Sequence, residues 1–375
     1  RTPSDFKADT AIDPASIQRI AAEHSNTSVR IGEEMVLKFY RRLRSGPHPE
    51  IEVGRFLTEV AGFRNAPATL GTIEYHAPDG TIVALALLQS FVPNQGDAWR
   101  LTLETLSREL DMLAFAPPDE EALVEATAPY LRYAAVMGRR TGEMHVALAT
   151  PTQDAAFAAE PLTGADIEAV IADAKAQAER AFATLPRFAR EVPAAALLLS
   201  RREECLARLE SLAIEPKGAV KTRIHGDLHL GQILIAEDDV MIVDFEGEPA
   251  RTSAERRAKY TPLRDIAGML RSFVYAADTA ARDVAARLPE AGERVGALAS
   301  GWLRLIEAEF LAAYEEATEG SPVWVEDDET RRRLLRLHLL SKALYEVNYE
   351  AGNRPDWIEM PIRGVLTLLD QGPPA

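Results

Sequence analysis

Residues 224–251, with the sequence IHGDLHLGQILIAEDDVMIVDFEGEPAR, constrain the fold more than any other part of the chain. They begin with a polar loop around Asp227, whose glycines are unfavourable in the interior of a helix or a strand. Two short apolar runs follow, residues 233–235 and 240–243, and each predicts a buried strand. Asp244 comes directly after the second run. The pattern therefore predicts one aspartate on a loop and another at the end of a strand of a β-hairpin.

The spacing of these polar side chains matches what phosphoryl transfer from a nucleotide requires. One carboxylate must take the proton of the acceptor hydroxyl, and a carboxylate and an amide oxygen must hold the metal that bridges the phosphates. Asp227 is the candidate catalytic base, and Gln232 and Asp244 are candidate metal ligands, with Glu246 as a further candidate. Protein kinases have Asn and Gly at the positions of Gln232 and Glu246, and Arg at the position of Gly226. These departures indicate a kinase of small molecules.

The strings HGDLHLGQ and DFEGEP resemble those of the bacterial maltokinase family, which shares the fold of protein kinases and aminoglycoside phosphotransferases. The resemblance extends from about Ser25 to about Leu368. It implies phosphorylation of maltose by ATP at the anomeric hydroxyl, which gives maltose 1-phosphate and ADP, with Mg²⁺ as the metal. It also implies association with, or covalent fusion to, a trehalose synthase.

The predicted architecture is α/β (α+β), with two lobes of the protein-kinase-like kind. At 375 residues the chain is long enough for two hydrophobic cores. We expect residues 1–92 to form an N-terminal lobe with a nucleotide-binding sheet and a helix. We expect residues 93–375 to form a mainly helical lobe with the catalytic loop and the sugar site. Within this architecture, residues 17–23 are expected to form a short helix, residues 78–80 to turn a β-hairpin, and Asp265 to support the catalytic loop.

Composition excludes several classes of protein. The net charge of −16 and the absence of a basic stripe argue against nucleic acid as a partner. A single cysteine, Cys205, excludes an intrachain disulfide and fits a reducing cytoplasm. The longest apolar run, residues 82–88, is too short to span a membrane. No secretory signal is evident, and Arg1 is not a start methionine, so we expect the chain to be part of a longer protein.

The polar segment before the first predicted hairpin is a candidate for binding phosphates. Its residues are Ser25, Asn26, Thr27 and Ser28. Hydroxyl and backbone N–H groups of such a loop can bind phosphates, although the glycines of the protein kinase loop are missing. On composition alone, an ordinary turn or helix cap is the better explanation. The maltokinase resemblance favours phosphate binding.

Lys38 interrupts the apolar strand VLKFY. Periodicity alone predicts that it faces solvent, but a kinase fold needs a strand lysine that holds the nucleotide phosphates and pairs with a helix glutamate. The predicted helix over residues 50–59 offers three glutamates. Glu52 is our choice for the partner because it lies beside the apolar face, and Glu50 and Glu59 are the alternatives.

The chain leaves the second predicted hairpin through Gln89, Phe91 and Val92. In kinase-like folds this segment connects the lobes, and its backbone groups bind the adenine. Residues 94–99, NQGDAW, follow and resemble the string found after this connection in the maltokinase family, but a glycine turn and a helix cap explain them equally well.

Aromatic rings and carboxylates recur together in YEVNYEAGNRPDW near the C-terminus. Residues four apart lie on one helix face, rings cover the apolar face of a sugar, and carboxylates accept from its hydroxyls. On its own, the pattern is explained more simply by a packed terminal helix with solvated glutamates. The resemblance, whose matching string lines the sugar pocket of maltokinases, favours substrate binding. The candidate substrate-binding residues are His229, Tyr345, Glu346, Tyr349 and Trp357.

Two alternatives remain open for the function. The acceptor could be another sugar or an aminoglycoside, for example glucosamine, because a negative net charge suits a cationic substrate. The chain could also be a catalytically silent module fused to a trehalose synthase, although the intact Asp227, Gln232 and Asp244 argue against silence. A zinc site formed by His225 and His229 is unsupported, because the glycines around them disfavour the helix that such a pair requires.

Overall fold

An antiparallel sheet of five strands forms the N-terminal lobe of the computed structural model, which describes residues 13–20, 26–115 and 120–371. Its strands are β1 Ile17–Ile20, β2 Asn26–Ile31, β3 Met35–Tyr40, β4 Thr69–His76 and β5 Ile82–Ser90. Their spatial order is β1-β2-β3-β5-β4, so β5 is an interior strand, as its continuous apolar run predicts. The hairpin of β4 and β5 turns at Gly80, with a φ of +84°, which confirms the predicted turn.

Two local predictions in this lobe are wrong. Residues 17–20, predicted as helix, form the edge strand β1, which pairs with β2 along its whole length. Residues 26–28, predicted as a loop, belong to β2 and pair with β3. Pairing with an existing strand satisfies backbone groups that local propensity does not take into account. The remaining parts of these two predictions, residues 21–23 and Ser25, lie outside the described residues.

Helix α1, Pro49–Arg55, packs beside the sheet and continues as a π-helical segment, Phe56–Ala61. This confirms the helix predicted for residues 50–59. The segment ends at Gly62, whose φ of +66° is a left-handed conformation that favours glycine. Proline at the first helical position fixes where α1 begins, and so fixes which side chains face the sheet.

The second lobe is mainly helical. Its helices are α2 Ala98–Leu113, α3 Glu120–Leu148, α4 Gly164–Thr184, α5 Pro193–Ser200, α6 Arg202–Ser211, α7 Ser253–Arg257, α8 Leu263–Arg287, α9 Gly292–Thr318, α10 Asp328–Asn353 and α11 Glu359–Asp370. Two short antiparallel strand pairs complete it. β8 Ile233–Ala236 and β9 Asp239–Ile242 form a hairpin, whereas β6 Glu160–Pro161 and its partner β7 Val220–Lys221 are separated in the chain by α4, α5 and α6. The two-lobed α/β architecture predicted from the sequence is confirmed. The lobe boundary at residues 92 and 93 stays a prediction.

The core of the helical lobe is built around α8 and α9. Phe273 and Phe310 meet edge to face at 5.6 Å between ring centroids, and Trp302 is fully buried beside Tyr130. In the described part of the chain, no helix is both long enough and apolar enough to cross a membrane.

Helices α3 and α9 approach each other closely at Gly138. A Cβ atom added to Gly138 would lie 2.2 Å from the backbone oxygen of Phe310 and 3.2 Å from the Cβ of Ala313. A backbone carbonyl cannot move aside as a flexible side chain can. The close crossing of these two helices therefore requires glycine at this position.

We predict that Gly138→Ala destabilises the protein by about 1–3 kcal/mol, the usual cost of overpacking a close contact. Gly296→Ala on α9 is the matched control, because a Cβ there meets no atom within 4 Å. That variant should be neutral or slightly stabilising, since alanine is the better helix former. Thermal unfolding of the two variants measures the difference. Equal unfolding temperatures would show that α3 and α9 are not in this close contact.

Candidate active site

A cavity of about 600 Å³ lies between the two lobes, and we call it the main cavity. Ten of the residues predicted to be functional line it: Asn26, Asp227, His229, Gln232, Asp244, Glu246, Tyr345, Glu346, Tyr349 and Trp357. The two aspartates that the sequence singles out thus face the same space, although they belong to a loop and to the end of a strand.

The loop that carries Asp227 is held by a buried carboxylate. Asp265, near the start of α8, accepts hydrogen bonds from the backbone N–H groups of His225 (2.8 Å) and Gly226 (2.9 Å). Burial opposes ionisation of Asp265, but His145 and these N–H groups hold its pKa below the usual value. Gly226 has a φ of +85°, a conformation that glycine adopts without strain. The predicted supporting role of Asp265 agrees with these contacts.

His225 connects the loop to the strand that ends at Asp244. Its Nε2 lies 2.9 Å from the carbonyl oxygen of Val243, and its Nδ1 accepts from the backbone N–H of Asp227 at 3.3 Å. With Nδ1 accepting, the proton is on Nε2, which donates to Val243. One imidazole therefore fixes the positions of both aspartates, and it has no nitrogen left for a metal.

Asp244, Glu246 and Gln232 bring oxygen atoms together on the lobe interface. The amide of Gln232 donates to Asp244 Oδ2 at 3.0 Å, which leaves the Gln232 amide oxygen for another ligand. Asp244 has a φ of +68°, a conformation unfavourable for residues other than glycine, which turns the chain sharply after β9. Glu246 accepts from the Asn26 side chain at 2.7 Å. Carboxylate and amide oxygens of this kind suit a hard cation such as Mg²⁺.

Lys38 lies at the centre of a group of carboxylates and is only 6% exposed. Its Nζ is 3.0 Å from Glu50, 2.8 Å from Asp244 and 2.9 Å from Glu246. Burial alone would lower the pKa of Lys38, but the three carboxylates raise it well above its usual value. Burial raises the pKa of Glu50 to about 8, even though Lys38 acts in the opposite direction. The group is thus a buried ammonium with an excess of acidic side chains.

Our choice of Glu52 as the partner of Lys38 is wrong, and the partner is Glu50. Each residue of an α-helix is rotated by about 100° around the helix axis from the one before it, so the side chains of Glu50 and Glu52 point roughly 200° apart. Because α1 begins at Pro49, Glu50 faces the sheet and Glu52 faces the opposite side. There Glu52 accepts hydrogen bonds from Arg257 at 2.6 and 2.8 Å. It therefore holds the segment after β9 and makes no contact with Lys38.

The other candidates for nucleotide binding have different positions. Thr27 and Ser28 lie within β2, and Ser28 is fully buried. Of the polar segment in the described residues, only Asn26 lines the main cavity. Gln89 is in β5, the Phe91 N–H donates to the backbone carbonyl of Glu34 at 2.6 Å, and the Val92 carbonyl accepts from the side chain of Asn94 at 2.8 Å. The roles of these residues stay predictions, and the Phe91 N–H would have to exchange partners to bind a base.

Three of the C-terminal candidates line the main cavity from helix α10, and Trp357 lines it from the short 3₁₀ helix Pro355–Trp357 that follows. Tyr345 and Tyr349 have ring centroids 6.2 Å apart, and Tyr349 is 41% exposed. Glu346 is paired with Arg271 of α8 at 2.7 Å. The predicted aromatic and acidic face therefore exists, but its carboxylate is already neutralised.

Arg271 is a residue that the sequence did not reveal. It is 3% exposed and lies against Gly364 of α11, where a Cβ would come within 2.3 Å of its guanidinium. The ring of Tyr275 lies 5.6 Å from the guanidinium, and its hydroxyl is 3.5 Å from Glu350. The carboxylates of α10 are therefore oriented by residues of α8 that contact them only in the folded protein.

Lys342 is a second residue that sequence reasoning missed. Its Nζ lies 3.4 Å from Asp227 and 2.7 Å from Glu248, and 4.9 Å from the centre of the Tyr345 ring. Burial opposes ionisation of Glu248, yet Lys342 and the neighbouring arginines lower its pKa to about 2. The spacing of three residues between Lys342 and Tyr345 on one helix was the available signal.

His229 adds a neutral donor beside the catalytic loop. Its Nδ1 accepts from the Gly231 N–H at 3.0 Å, so the proton is on Nε2. Burial lowers the pKa of His229 below its usual value, and although Asp227 acts in the opposite direction, Lys342 adds to the lowering. The ring therefore offers one N–H group to a ligand in the main cavity.

Comparisons with known proteins agree with this geometry. The phosphotransferase enzyme family APH matches residues 16–301. A glucosamine kinase of Mycolicibacterium smegmatis is 28% identical over 94% of this chain and 79% of its own length. A glucosamine kinase of Streptacidiphilus jiangxiensis is 27% identical over 98% of this chain and 76% of its own length. A solved structure of a glucosamine kinase in complex with glucosamine, ADP and inorganic phosphate is 25% identical, with a TM-score of 0.70, over 94% of this chain and 76% of that chain.

We predict that Glu50→Gln weakens the binding of Mg·ATP by about tenfold or more, because Lys38 loses the carboxyl group that fixes its position in a buried site. Glu52→Gln should leave nucleotide binding unchanged and instead lower the unfolding temperature, because Arg223 and Arg257 lose their carboxylate. Calorimetric titration and thermal unfolding of both variants test this. Loss of nucleotide affinity in Glu52→Gln alone would contradict the pairing described above.

Proposed function

The chain belongs to the phosphotransferase enzyme family, and we propose that it phosphorylates glucosamine with ATP as the donor. ATP-dependent transfer to a sugar or an aminoglycoside follows from the family, whose kinases typically use Mg²⁺. The choice of glucosamine depends on one observation. The two relatives, from different organisms, match this chain over 94% and 98% of its length and are glucosamine kinases.

Maltose, the acceptor that the sequence resemblance implies, ranks second. The relatives compared above support neither maltose nor a fusion to a trehalose synthase. The strings HGDLHLGQ and DFEGEP carry mainly the residues proposed for proton transfer and for the metal, and within them only His229 is proposed to bind the hydroxyls that distinguish one sugar from another. Those strings therefore indicate the reaction better than they indicate the acceptor.

In the proposed reaction, Asp227 accepts the proton of the acceptor hydroxyl as that oxygen attacks the γ-phosphorus of ATP. The side chain of Asp227 is 19% exposed and opens onto the main cavity. Lys342 and the loop contacts from Asp265 hold its orientation. A fixed carboxylate within reach of the hydroxyl contributes mainly by positioning, because this kind of transfer needs little covalent chemistry from the protein.

Asp244, Glu246 and the amide oxygen of Gln232 are the residues that fit Mg²⁺. Among the described residues, Glu50, Asp244 and Glu246 form an acidic cluster in which one carboxylate oxygen of each lies within 4.8 Å of those of the other two. Its carboxylates outnumber the single Lys38, so a divalent cation balances a charge that the protein leaves uncompensated. The bound metal neutralises the charge that develops on the phosphates. Lys38 adds a second cation for them from the sheet.

The acceptor side of the proposal is the face of α10. Tyr345 and Trp357 offer rings for the apolar face of a sugar, and Glu346 and the Nε2–H of His229 offer an acceptor and a donor for its hydroxyls. The paired Glu346 can still accept, because each carboxylate has about four lone-pair sites.

Asp227→Asn should lower kcat by about 10²- to 10⁴-fold, the usual contribution of one general base. Binding of ATP should stay near normal, because Asp227 is not among the residues proposed to hold the nucleotide. Asp244→Ala should instead abolish Mg²⁺-dependent binding of the nucleotide. Turnover with saturating sugar and calorimetry with Mg·ATP measure these effects. Unchanged turnover in either variant would contradict the role proposed for that residue, Asp227 as the base or Asp244 as a metal ligand.

An acceptor panel tests the function itself. Release of ADP is measured with glucosamine, maltose and kanamycin at equal concentrations, and glucosamine should give the highest kcat/KM. A higher value for maltose or kanamycin would overturn the choice of acceptor and leave the reaction class intact. If no sugar is phosphorylated and calorimetry detects no heat with Mg·ATP at any Mg²⁺ concentration, the chain is a catalytically silent module instead.

A further inference from the structure

One arginine at the wall of the main cavity is held in place without a carboxylate partner. This residue is Arg256, in the short helix α7. Its guanidinium donates to the backbone carbonyl oxygens of Arg251 at 3.1 Å, Pro249 at 2.8 Å and Glu246 at 3.4 Å, and no described carboxylate forms an ion pair with it. A guanidinium has more N–H groups than these bonds use, so it is fixed in position and can still donate to a ligand.

The arginines on either side of Arg256 differ from it. Each of them pairs with a carboxylate: Arg251 with Asp173 (2.7 Å), Arg257 with Glu52 (2.6 Å) and Arg264 with Glu248 (3.1 Å). The chain has 58 acidic and 42 basic side chains, so a shortage of carboxylates does not explain the difference. Backbone carbonyls are neutral as a whole and leave the positive charge of Arg256 uncompensated. That charge is therefore available to an anion in the main cavity.

A second arginine adds to the positive charge in this part of the cavity. Arg44 lies between β3 and α1, is exposed and lines the main cavity, and its side chain forms neither a hydrogen bond nor an ion pair within the described part of the chain. Burial, and then the like charge of Arg44, lower the pKa of Arg256. Glu246, Asp227 and Asp244 act in the opposite direction. The two guanidinium groups repel each other, and an anion between them would relieve that repulsion.

The carboxylates that influence Arg256 indicate which anion fits. Asp244 and Glu246 are the proposed metal ligands, and Asp227 is the proposed base. In phosphoryl transfer the γ-phosphoryl group lies between the metal and the acceptor hydroxyl, and so among these three side chains. Arginine suits such a group, because its planar N–H groups match the geometry of phosphate oxygens.

We propose that Arg256 binds the γ-phosphoryl group of ATP while it is transferred, and that Arg44 contacts the same group from the segment after β3. The acceptor oxygen forms a bond to the γ-phosphorus, the bond from that phosphorus to the bridging oxygen breaks with its electron pair left on ADP, and the acceptor proton goes to Asp227. Arg256 stays protonated throughout and stabilises the negative charge on the phosphoryl oxygens. The inference rests on the proposed function in taking a nucleoside triphosphate as the donor.

The test compares the binding of Mg·ATP and Mg·ADP by calorimetry without an acceptor, because only ATP has the γ-phosphoryl group. Arg256→Gln should weaken the binding of Mg·ATP by about ten- to a hundredfold, the effect of losing hydrogen bonds to a charged group, and leave that of Mg·ADP unchanged. Arg256→Lys keeps the charge and should recover part of the loss. With saturating ATP and glucosamine, kcat of Arg256→Gln should fall by about 10²- to 10³-fold.

Two further variants separate phosphate binding from a structural role. Arg44→Gln breaks no described side-chain bond, and it should weaken Mg·ATP by about two- to fivefold, the size of an exposed charge pair, without affecting Mg·ADP. Arg208 of α6 also donates to backbone carbonyls, those of Leu369 and Gln371, but does not line the main cavity. Arg208→Gln should therefore lower the unfolding temperature and leave the relative affinity for the two nucleotides as in the wild type.

Equal losses of Mg·ATP and Mg·ADP affinity in Arg256→Gln, with Arg44→Gln binding both as the wild type does, would overturn the proposal, because Arg256 would then only hold the segment before α7. If Arg256→Gln does not fold, Arg44→Gln decides: a loss confined to Mg·ATP supports the proposal, and unchanged binding overturns it. Failure of the proposed acceptor gives a different result, because the variants still lose Mg·ATP affinity while the wild type phosphorylates no glucosamine. A wild type that binds no Mg·ATP overturns both proposals.

Discussion

A single buried ammonium, that of Lys38, connects the parts of this protein that must act together. It joins strand β3 to Glu50 of α1 and to Asp244 and Glu246 after β9, each within 3.0 Å. A buried ion pair is not by itself a strong source of stability, because both partners lose their hydration. Here one cation meets several carboxylates, so the excess negative charge remains near the surface of the main cavity. The residues that hold the lobes together are thereby also the ones proposed to hold a divalent metal.

The geometry of the two aspartates depends on contacts behind them. Asp265 holds the loop of Asp227 through backbone N–H groups, and His225 ties that loop to Val243, the residue before Asp244. These groups are buried, so each bond is made in a medium of low dielectric constant and cannot be replaced easily by water. Since α8 carries both Asp265 and Arg271, the same helix supports the loop and orients Glu346 on α10. The proposed nucleotide side and the proposed acceptor side of the site therefore share one scaffold.

The class of reaction could be predicted from the sequence because the residues that indicate it are close together in the chain. The partner of Lys38, the strand at residues 26–28 and the roles of Arg271 and Lys342 could not, because they depend on tertiary contacts. Asp227, Gln232 and Asp244 lie close together in the chain, so a short motif contains their relation, and the structure brings them to one cavity. The partner of Lys38 depended on where α1 begins, and an error of two residues along the helix exchanged Glu50 for Glu52. The strand character of residues 26–28 came from pairing with β3, which no local pattern reveals. Arg271 and Lys342 pair with carboxylates that are far from them in the sequence.

How strongly the site can discriminate between acceptors follows from how the charges on α10 are paired. Glu346 is held by Arg271 and Glu350 by Arg354, so neither carboxylate waits unpaired for the ammonium of an amino sugar. A site rejects an analogue strongly only when its own buried polar groups are left without partners, as when a hydroxyl that they bind is missing. Here a neutral sugar leaves both carboxylates satisfied. Selectivity for glucosamine over a neutral sugar should therefore be about 10- to 200-fold, the range set by modest differences in contact, and well below the 10⁴-fold that an unpaired buried group would produce.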